Sequence, residues 1–269
     1  MASVKDICDK LETECKDYPS DVTDINKEID QNMAKARRSP FYILFPTASI
    51  LEIMIKKLLD DLQDTYEKIR QKIKDDILPF IFAPYYLAKS GDDFGDIARD
   101  TSSLAGRMAE GQILPAAEWS GVGFNAYETT RGQQEEAAKV TAASVQTLSE
   151  QLHTVATNMV LYWDKVQAAI AKFLLDSLAQ AAQLVDVKKW TEVVPTLANI
   201  ANGLSQLIID QLVALHEYLL TQVPLMDTLN REMMASDALP GGNGWPAPGG
   251  AMTQPSVPGE PPTWNDGED

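Results

Sequence analysis

The sequence predicts an all-α protein, an elongated antiparallel helical bundle followed by a disordered, Pro/Gly-rich C-terminal tail. Apolar residues recur every three or four positions through most of the chain, which is the spacing of one helix face. Hydrophobic residues make up 45% of the 269 residues, enough to bury a core. From Pro240 onward the composition changes to Gly, Pro and Ser, typical of a solvated tail. We expect N-terminal helices and a connector in 1–46, the bundle in 47–235 and the tail in 236–269.

The first segment predicts two helices. Residues 3–17 form a short charged helix that stops near Tyr18 and Pro19, because proline interrupts a helix. Ser20 or Asp21 then caps a second helix that runs to about Arg37. We expect this segment to be peripheral to the bundle.

The bundle begins with a helix from Thr47 that ends at Pro79. Its buried stripe consists of apolar residues at three- and four-residue spacing: Leu51, Ile55, Leu58, Leu62, Tyr66, Ile69, Ile73 and Ile77. A buried connector over 79–86 and a polar loop over 90–93 follow. Asp92 or Asp93 then caps a helix whose inward positions include Ile97, Leu104 and Met108.

The longest helix follows residue 121 and keeps one stripe for more than twelve turns, a length of roughly 90 Å. A helix of this length exceeds the core of a spherical domain, which favours a rod of antiparallel helices. A reversal over 186–189 leads into a last helix from about Thr191. The stripe of the long helix is Val140, Ser144, Leu148, Leu152, Val155, Met159, Tyr162, Ile170, Phe173, Leu178, Ala181 and Val185.

Charge and residue content argue against several functions. The net charge of −16 repels nucleic-acid phosphates and anionic lipids, so we expect no nucleic-acid partner and do not favour membrane contact. The N-terminus lacks the apolar stretch of a secretory signal. His153 and His216 lack the accompanying residues that a metal site or general-base catalysis requires. We expect each to pack its ring edge beside an apolar stripe. We therefore expect no enzyme, metal or cofactor.

One motif, Trp119, Ser120 and Gly121, lies between two long predicted helices. It resembles the W-x-G turn of the WXG family of type VII secretion substrates, with Trp119, Gly121 and Phe124 as the matching residues. The resemblance covers about 48–187 and implies a turn that joins two antiparallel helices. It also implies that the tryptophan covers the end of the hairpin, while glycine, with its free φ angle, permits the reversal. The alternative is an ordinary buried loop tryptophan.

The resemblance implies a non-enzymatic secreted protein that acts as substrate, partner or effector targeting domain of a type VII pathway, exported without a signal peptide. Helical faces would bind a protein partner in a homo- or hetero-oligomer. The family's export signal, Tyr followed four residues later by Asp or Glu, is absent after all 8 tyrosines, so a partner would carry it. Trp245 and Trp264 are either docking anchors in the tail or incidental. A membrane-active helical toxin and an intracellular helical scaffold remain alternatives.

Overall fold

The computed structural model describes residues 3–40, 42, 48–109 and 122–234, except for the side chains of residues 48–51, 122, 123, 126 and 232–234. Within these ranges the chain is all-α, as predicted, with no strand. The predicted tail lies outside them. The α-helices of this part are α1 (Val4–Arg37), α2 (Ala48–Lys72), α3 (Ala83–Ala109), α4 (Val122–Gln183) and α5 (Trp190–Met234).

Helix α1 is a single helix of 34 residues, so the prediction of two helices separated at Pro19 was wrong. Ser3 and Asp6 form a capping box at its start. Proline in a helix interior costs about 3 kcal/mol, but burying one large apolar side chain contributes about 1.5–3 kcal/mol, and α1 buries several. The segment is therefore not peripheral. Its buried residues are Cys8, Leu11, Cys15, Tyr18, Ile25, Ile29, Asn32, Met33 and Ala36.

The stripe predicted for α2 is confirmed where its side chains are described, because Ile55, Leu62, Tyr66 and Ile69 are buried. Ordinary α-helix ends at Lys72 rather than at Pro79. A π-helical turn, Ile73–Ile77, and a 3-10 turn, Leu78–Phe80, continue the helical path.

The connector predicted over 79–86 is only partly buried. Ile81 is inside the core, whereas Phe80 and Tyr86 are 57% and 63% exposed. Helix α3 already begins within this stretch, at Ala83, and Pro84 lies in its first turn, where a missing N–H breaks no helical bond.

Helix α3 runs without interruption through residues 90–93, so the predicted polar loop was wrong. Asp92, Asp93 and Asp96 consequently lie inside the helix and do not cap it. The inward positions also differ from the prediction, since Ile97 is 50% exposed. The buried positions of α3 are instead seven apart, namely Pro84, Gly91, Ala98 and Ala105.

The long helix predicted after Trp119 is confirmed: α4 has 62 residues, which is about 93 Å at 1.5 Å per residue. Its stripe was predicted less well, because Leu178 is 42% exposed and Val185, which is 48% exposed, lies beyond the end of the helix. One set of its buried positions follows a seven-residue repeat, the spacing of coiled-coil packing. This set consists of Ala142, Ser149, Ala156, Trp163, Ile170 and Ser177.

The predicted reversal between the last two helices is confirmed. A 3-10 turn, Val187–Lys189, is capped by the Asp186 carboxylate, which accepts from the Lys188 N–H. The indole N–H of the fully buried Trp190 donates to the Leu184 carbonyl at 2.7 Å. This hydrogen bond satisfies a carbonyl just past the end of α4.

The chain divides into two compact units, Met1–Leu87 with Val155–Leu220 and Ala88–Thr154 with Thr221–Asp269. The first unit contains the main hydrophobic cluster, including Tyr18, Ile25, Trp163, Phe173 and Trp190. No described residue between 88 and 154 belongs to that cluster. In the second unit the buried described side chains are small: Ala98, Ala105, Thr130, Ala137, Ala138, Ala142 and Ser149.

Candidate functional site

Most of the predicted site residues lie outside the described part of the chain. This applies to Trp119, Gly121, Trp245 and Trp264. Phe124 is described; it lies in the first turn of α4 and is half-buried. Because α3 ends at Ala109 and α4 begins at Val122, the W-x-G motif falls within the chain segment between these two helices.

Helices α3 and α4 lie antiparallel within the second unit. Gly91 of α3 lies against His153 of α4, and Gly95 lies against Ser149. Further along, Met108 accepts a hydrogen bond from Arg131. Residue numbers rise along one helix as they fall along the other, so the two helices run in opposite directions. The end of α3 at residue 109 and the start of α4 at residue 122 therefore lie at the same end of the pair.

The two helices pack tightly at Gly91. A Cβ atom at this position would lie 2.9 Å from both Cδ2 and Nε2 of His153, so glycine is the residue that leaves room for the imidazole ring. The Ser149 hydroxyl donates to the Gly91 carbonyl at 2.7 Å, one turn along α4. The His153 ring, expected to pack its edge beside an apolar stripe, instead lies against Gly91 of α3, and His216 is exposed.

Arg131 joins the two helices at the end next to the W-x-G motif. Its guanidinium donates to the Met108 carbonyl, in the last turn of α3, where helical carbonyls lack N–H partners. Its remaining donors reach Glu128 at 3.0 Å, and Glu135 lies 4.0 Å away. The hydrogen bond to Glu128, with the charges of both glutamates, raises the pKa of Arg131. No local sequence pattern identifies Arg131, because its contact joins positions 23 apart in the chain.

An open groove of about 920 Å³ follows the α3–α4 pair, with Gly95, Ala98 and Ala142 among its lining residues. Its charged side chains pair with one another or with neighbours on the same helix. Asp96 bonds Arg99 at 2.9 Å, Lys139 bonds Glu135, and the His153 Nε2 atom lies 3.3 Å from the Asp92 carboxylate. Ser149 uses its hydroxyl in the helix pair, so the groove presents paired charges and small side chains rather than an activated nucleophile.

Other sequence patterns do not form a functional site among the described residues. Gly123 and Ala126, part of a formal dinucleotide fingerprint, lie inside α4, and no strand precedes them among the described residues. Within the same ranges, no group of three or more His, Cys, Asp or Glu side chains is placed to hold a metal ion. None of the helices in the described ranges is long and apolar enough to cross a bilayer.

Comparison of the chain with protein-family models, with curated proteins and with solved structures finds no match.

Proposed function

We propose that this chain is a non-enzymatic helical protein of a type VII, WXG-type secretion pathway, acting as secreted substrate, partner or effector targeting domain. One observation carries the proposal. Residues 119–121 lie in the chain between α3 and α4, and these two helices are antiparallel, with Gly91 beside His153 and Met108 beside Arg131. A W-x-G sequence between two antiparallel helices is the arrangement that the family resemblance implies.

The first arm of the hairpin is simpler than the resemblance implied. The resemblance was expected to combine residues 48–78 with 93–112 in the first arm, whereas in the second unit α3, which runs without a break from Ala83 to Ala109, lies antiparallel to α4. A hairpin with one continuous first arm is nearer to the family's single hairpin, and this supports the proposal.

A partner that binds through helical faces is part of the proposal. On α4, three large aliphatic side chains, Leu161, Leu175 and Leu178, are 42–69% exposed, although such residues are usually buried in folded proteins. Leu161 and Leu175 are two heptads apart, and Leu178 follows Leu175 by three residues, so together they follow one side of the helix. This spacing supports contact with another helix. A partner would also supply the export signal that this sequence lacks.

The test is a secretion assay in a type VII host. Wild type, Trp119→Ala and the control Phe80→Ala are expressed in strains with and without the secretion ATPase, and the supernatant is compared with the cell fraction. Phe80 is 57% exposed in the first unit, so its truncation removes an aromatic ring without touching the W-x-G motif.

We expect ATPase-dependent release of wild type and Phe80→Ala, and loss of release for Trp119→Ala. Circular dichroism of each purified protein separates a secretion defect from an unfolded chain. If Trp119 is buried, its truncation also destabilises the fold, by about 3 kcal/mol. Retention of the folded wild-type chain in every strain would refute the proposal and favour an intracellular helical scaffold.

A further inference from the structure

Helix α4 has a face in the first unit that the other described helices leave open to solvent. Seven residues at three- and four-residue spacing between 157 and 179 are all exposed. At 3.6 residues per turn they fall within a sector of about 80°, so they form one side of the helix. We call this set the outer face of α4. It consists of Thr157, Leu161, Asp164, Ala168, Lys172, Leu175 and Ala179.

The outer face of α4 is symmetrical about Ala168. Leu161 and Leu175 lie seven residues before and after it, and they are 54% and 69% exposed. Asp164 and Lys172 lie four residues before and after it, and they carry opposite charges. Equal distances from the centre therefore hold two large apolar side chains and two charges of opposite sign.

A face with this symmetry is complementary to itself when two copies of the helix lie antiparallel. If the helices cross at Ala168, Leu161 of each copy meets Leu175 of the other, and Asp164 meets Lys172. The small side chain of Ala168 lets the two helices approach closely at the two-fold axis. A parallel pair would instead place Asp164 beside Asp164 and Lys172 beside Lys172, where like charges repel.

The charged residues of this face are available for such a contact. Asp164 is exposed. Lys172 pairs with Asp176 on its own helix, but the two side chains are 75% and 43% exposed, and exposed ion pairs contribute little stability. The Lys172 ammonium has three donors, so it can bind Asp176 and the Asp164 carboxylate of a second copy together. Lys165, at the edge of the face, lies over the Tyr162 ring, 5.5 Å from its centroid.

The leucines supply the driving force for association. The contact would cover four exposed leucines, Leu161 and Leu175 from each copy, and would remove their apolar surface from water. A single helix pair about 33 Å long is smaller than the interfaces of tight complexes. The dimer should therefore dissociate on dilution.

We propose that the outer face of α4 binds the same face of a second copy of this chain, antiparallel, with the two-fold axis at Ala168. The proposal rests on the proposed function, since it names the partner of the α4 surface through which that function expects a helix to bind. A second copy brings no export signal, so a carrier of that signal would bind to another surface of the dimer.

The first experiment measures association of the full chain by sedimentation velocity over about a hundredfold range of concentration. Asp164→Lys and Lys172→Asp each place like charges opposite one another, and each should weaken association by about tenfold or more. The variant with both changes exchanges the two charges, restores both ion pairs and should associate as wild type does. The control is Asp210→Lys, because Asp210 is exposed on α5 and changes the net charge equally.

The second experiment fixes the direction of the two helices by disulfide cross-linking. Ala168→Cys places the two introduced thiols at the two-fold axis, within reach of a disulfide, whereas Ala179→Cys places them about 33 Å apart in an antiparallel pair. The native thiols of Cys8 and Cys15 are buried. We expect a covalent dimer from Ala168→Cys under mild oxidation and none from Ala179→Cys.

Three results would overturn the proposal. They are a wild-type chain that is monomeric at every concentration, equal cross-linking at residues 168 and 179, which indicates a parallel pair, and a folded double charge variant that does not regain association. Circular dichroism of each variant separates lost association from lost folding. These measurements are independent of the secretion assay, so a dimer that every strain retains would refute the proposed function and leave the dimer standing.

Discussion

The close contact between Gly91 and His153 leads to a prediction that compares two glycines of the same helix. Gly106 of α3 has nothing within 4 Å of the position where a Cβ atom would lie. Alanine is favoured over glycine in a helix interior by about 1 kcal/mol, so Gly106→Ala should stabilise the protein by about that amount. Gly91→Ala gains the same preference, but its new methyl group would lie 2.9 Å from the His153 ring.

The ring must therefore move when Gly91 becomes alanine. Carbon atoms in contact prefer about 3.5–4.0 Å, and pushing a side chain off its rotamer costs about 0.5–1.5 kcal/mol. Movement also breaks the 3.3 Å contact with Asp92, which contributes little because the Asp92 side chain is 75% exposed. The cost cancels the helical gain. Gly91→Ala should thus be about 0.5–1.5 kcal/mol less stable than Gly106→Ala.

Urea denaturation of both variants, in wild-type and His153→Ala backgrounds, measures this difference as a double-mutant cycle. The His153→Ala background lacks the imidazole ring, so Gly91→Ala should stabilise the protein there by about 1 kcal/mol, as Gly106→Ala does. If Gly91→Ala is as stabilising as Gly106→Ala in both backgrounds, the two helices are not held by this contact and the reasoning fails.

Two further predictions concern α1. Pro19→Ala restores the N–H that Pro19 denies to the Cys15 carbonyl, and should raise the free energy of unfolding by about 1–3 kcal/mol in a thermal melt. The exposed neighbour Ser20→Ala should leave it nearly unchanged, and a loss of stability for Pro19→Ala would show that the native helix requires the proline. Cys8 and Cys15 are buried free thiols whose pKa values are raised by burial, that of Cys15 to about 12. Neither should react with a disulfide reagent at pH 8 until the chain unfolds, because the thiolate is the reactive form, and prompt labelling of the native protein would contradict their burial.

The sequence predicted α2 and α4 because large apolar residues mark a helix face directly. Ile55, Leu62 and Ile69 identified the buried side of α2, and the long pattern after residue 121 identified α4. Where burial depends on small residues, the same reasoning failed. Ala142 and Ser149 carry too little apolar surface to stand out in a hydrophobic pattern, yet they are buried in the helix pair.

The local sequence signals for the ends of helices also gave wrong predictions, for a related reason. Pro19 and the stretch around Gly91 read as helix stops, and tertiary packing overrode both. Tyr18 next to the proline packs on Phe173 in the core, and Gly91 is needed beneath the His153 ring. Neither contact is visible in a local window, because Phe173 and His153 lie 155 and 62 residues away from these positions.

The two units also differ in how firmly their buried positions resist heat and denaturant. A leucine or tryptophan removes far more apolar surface from water than an alanine does, at roughly 25 cal/mol for each Å². The first unit buries Trp163, Ile170 and Phe173, whereas the second buries Ala98, Ala142 and Ser149. Local opening should therefore begin in α3 and in the part of α4 that precedes Val155. An unfolding machine that acted on this protein would meet least resistance in the helices on either side of residues 119–121.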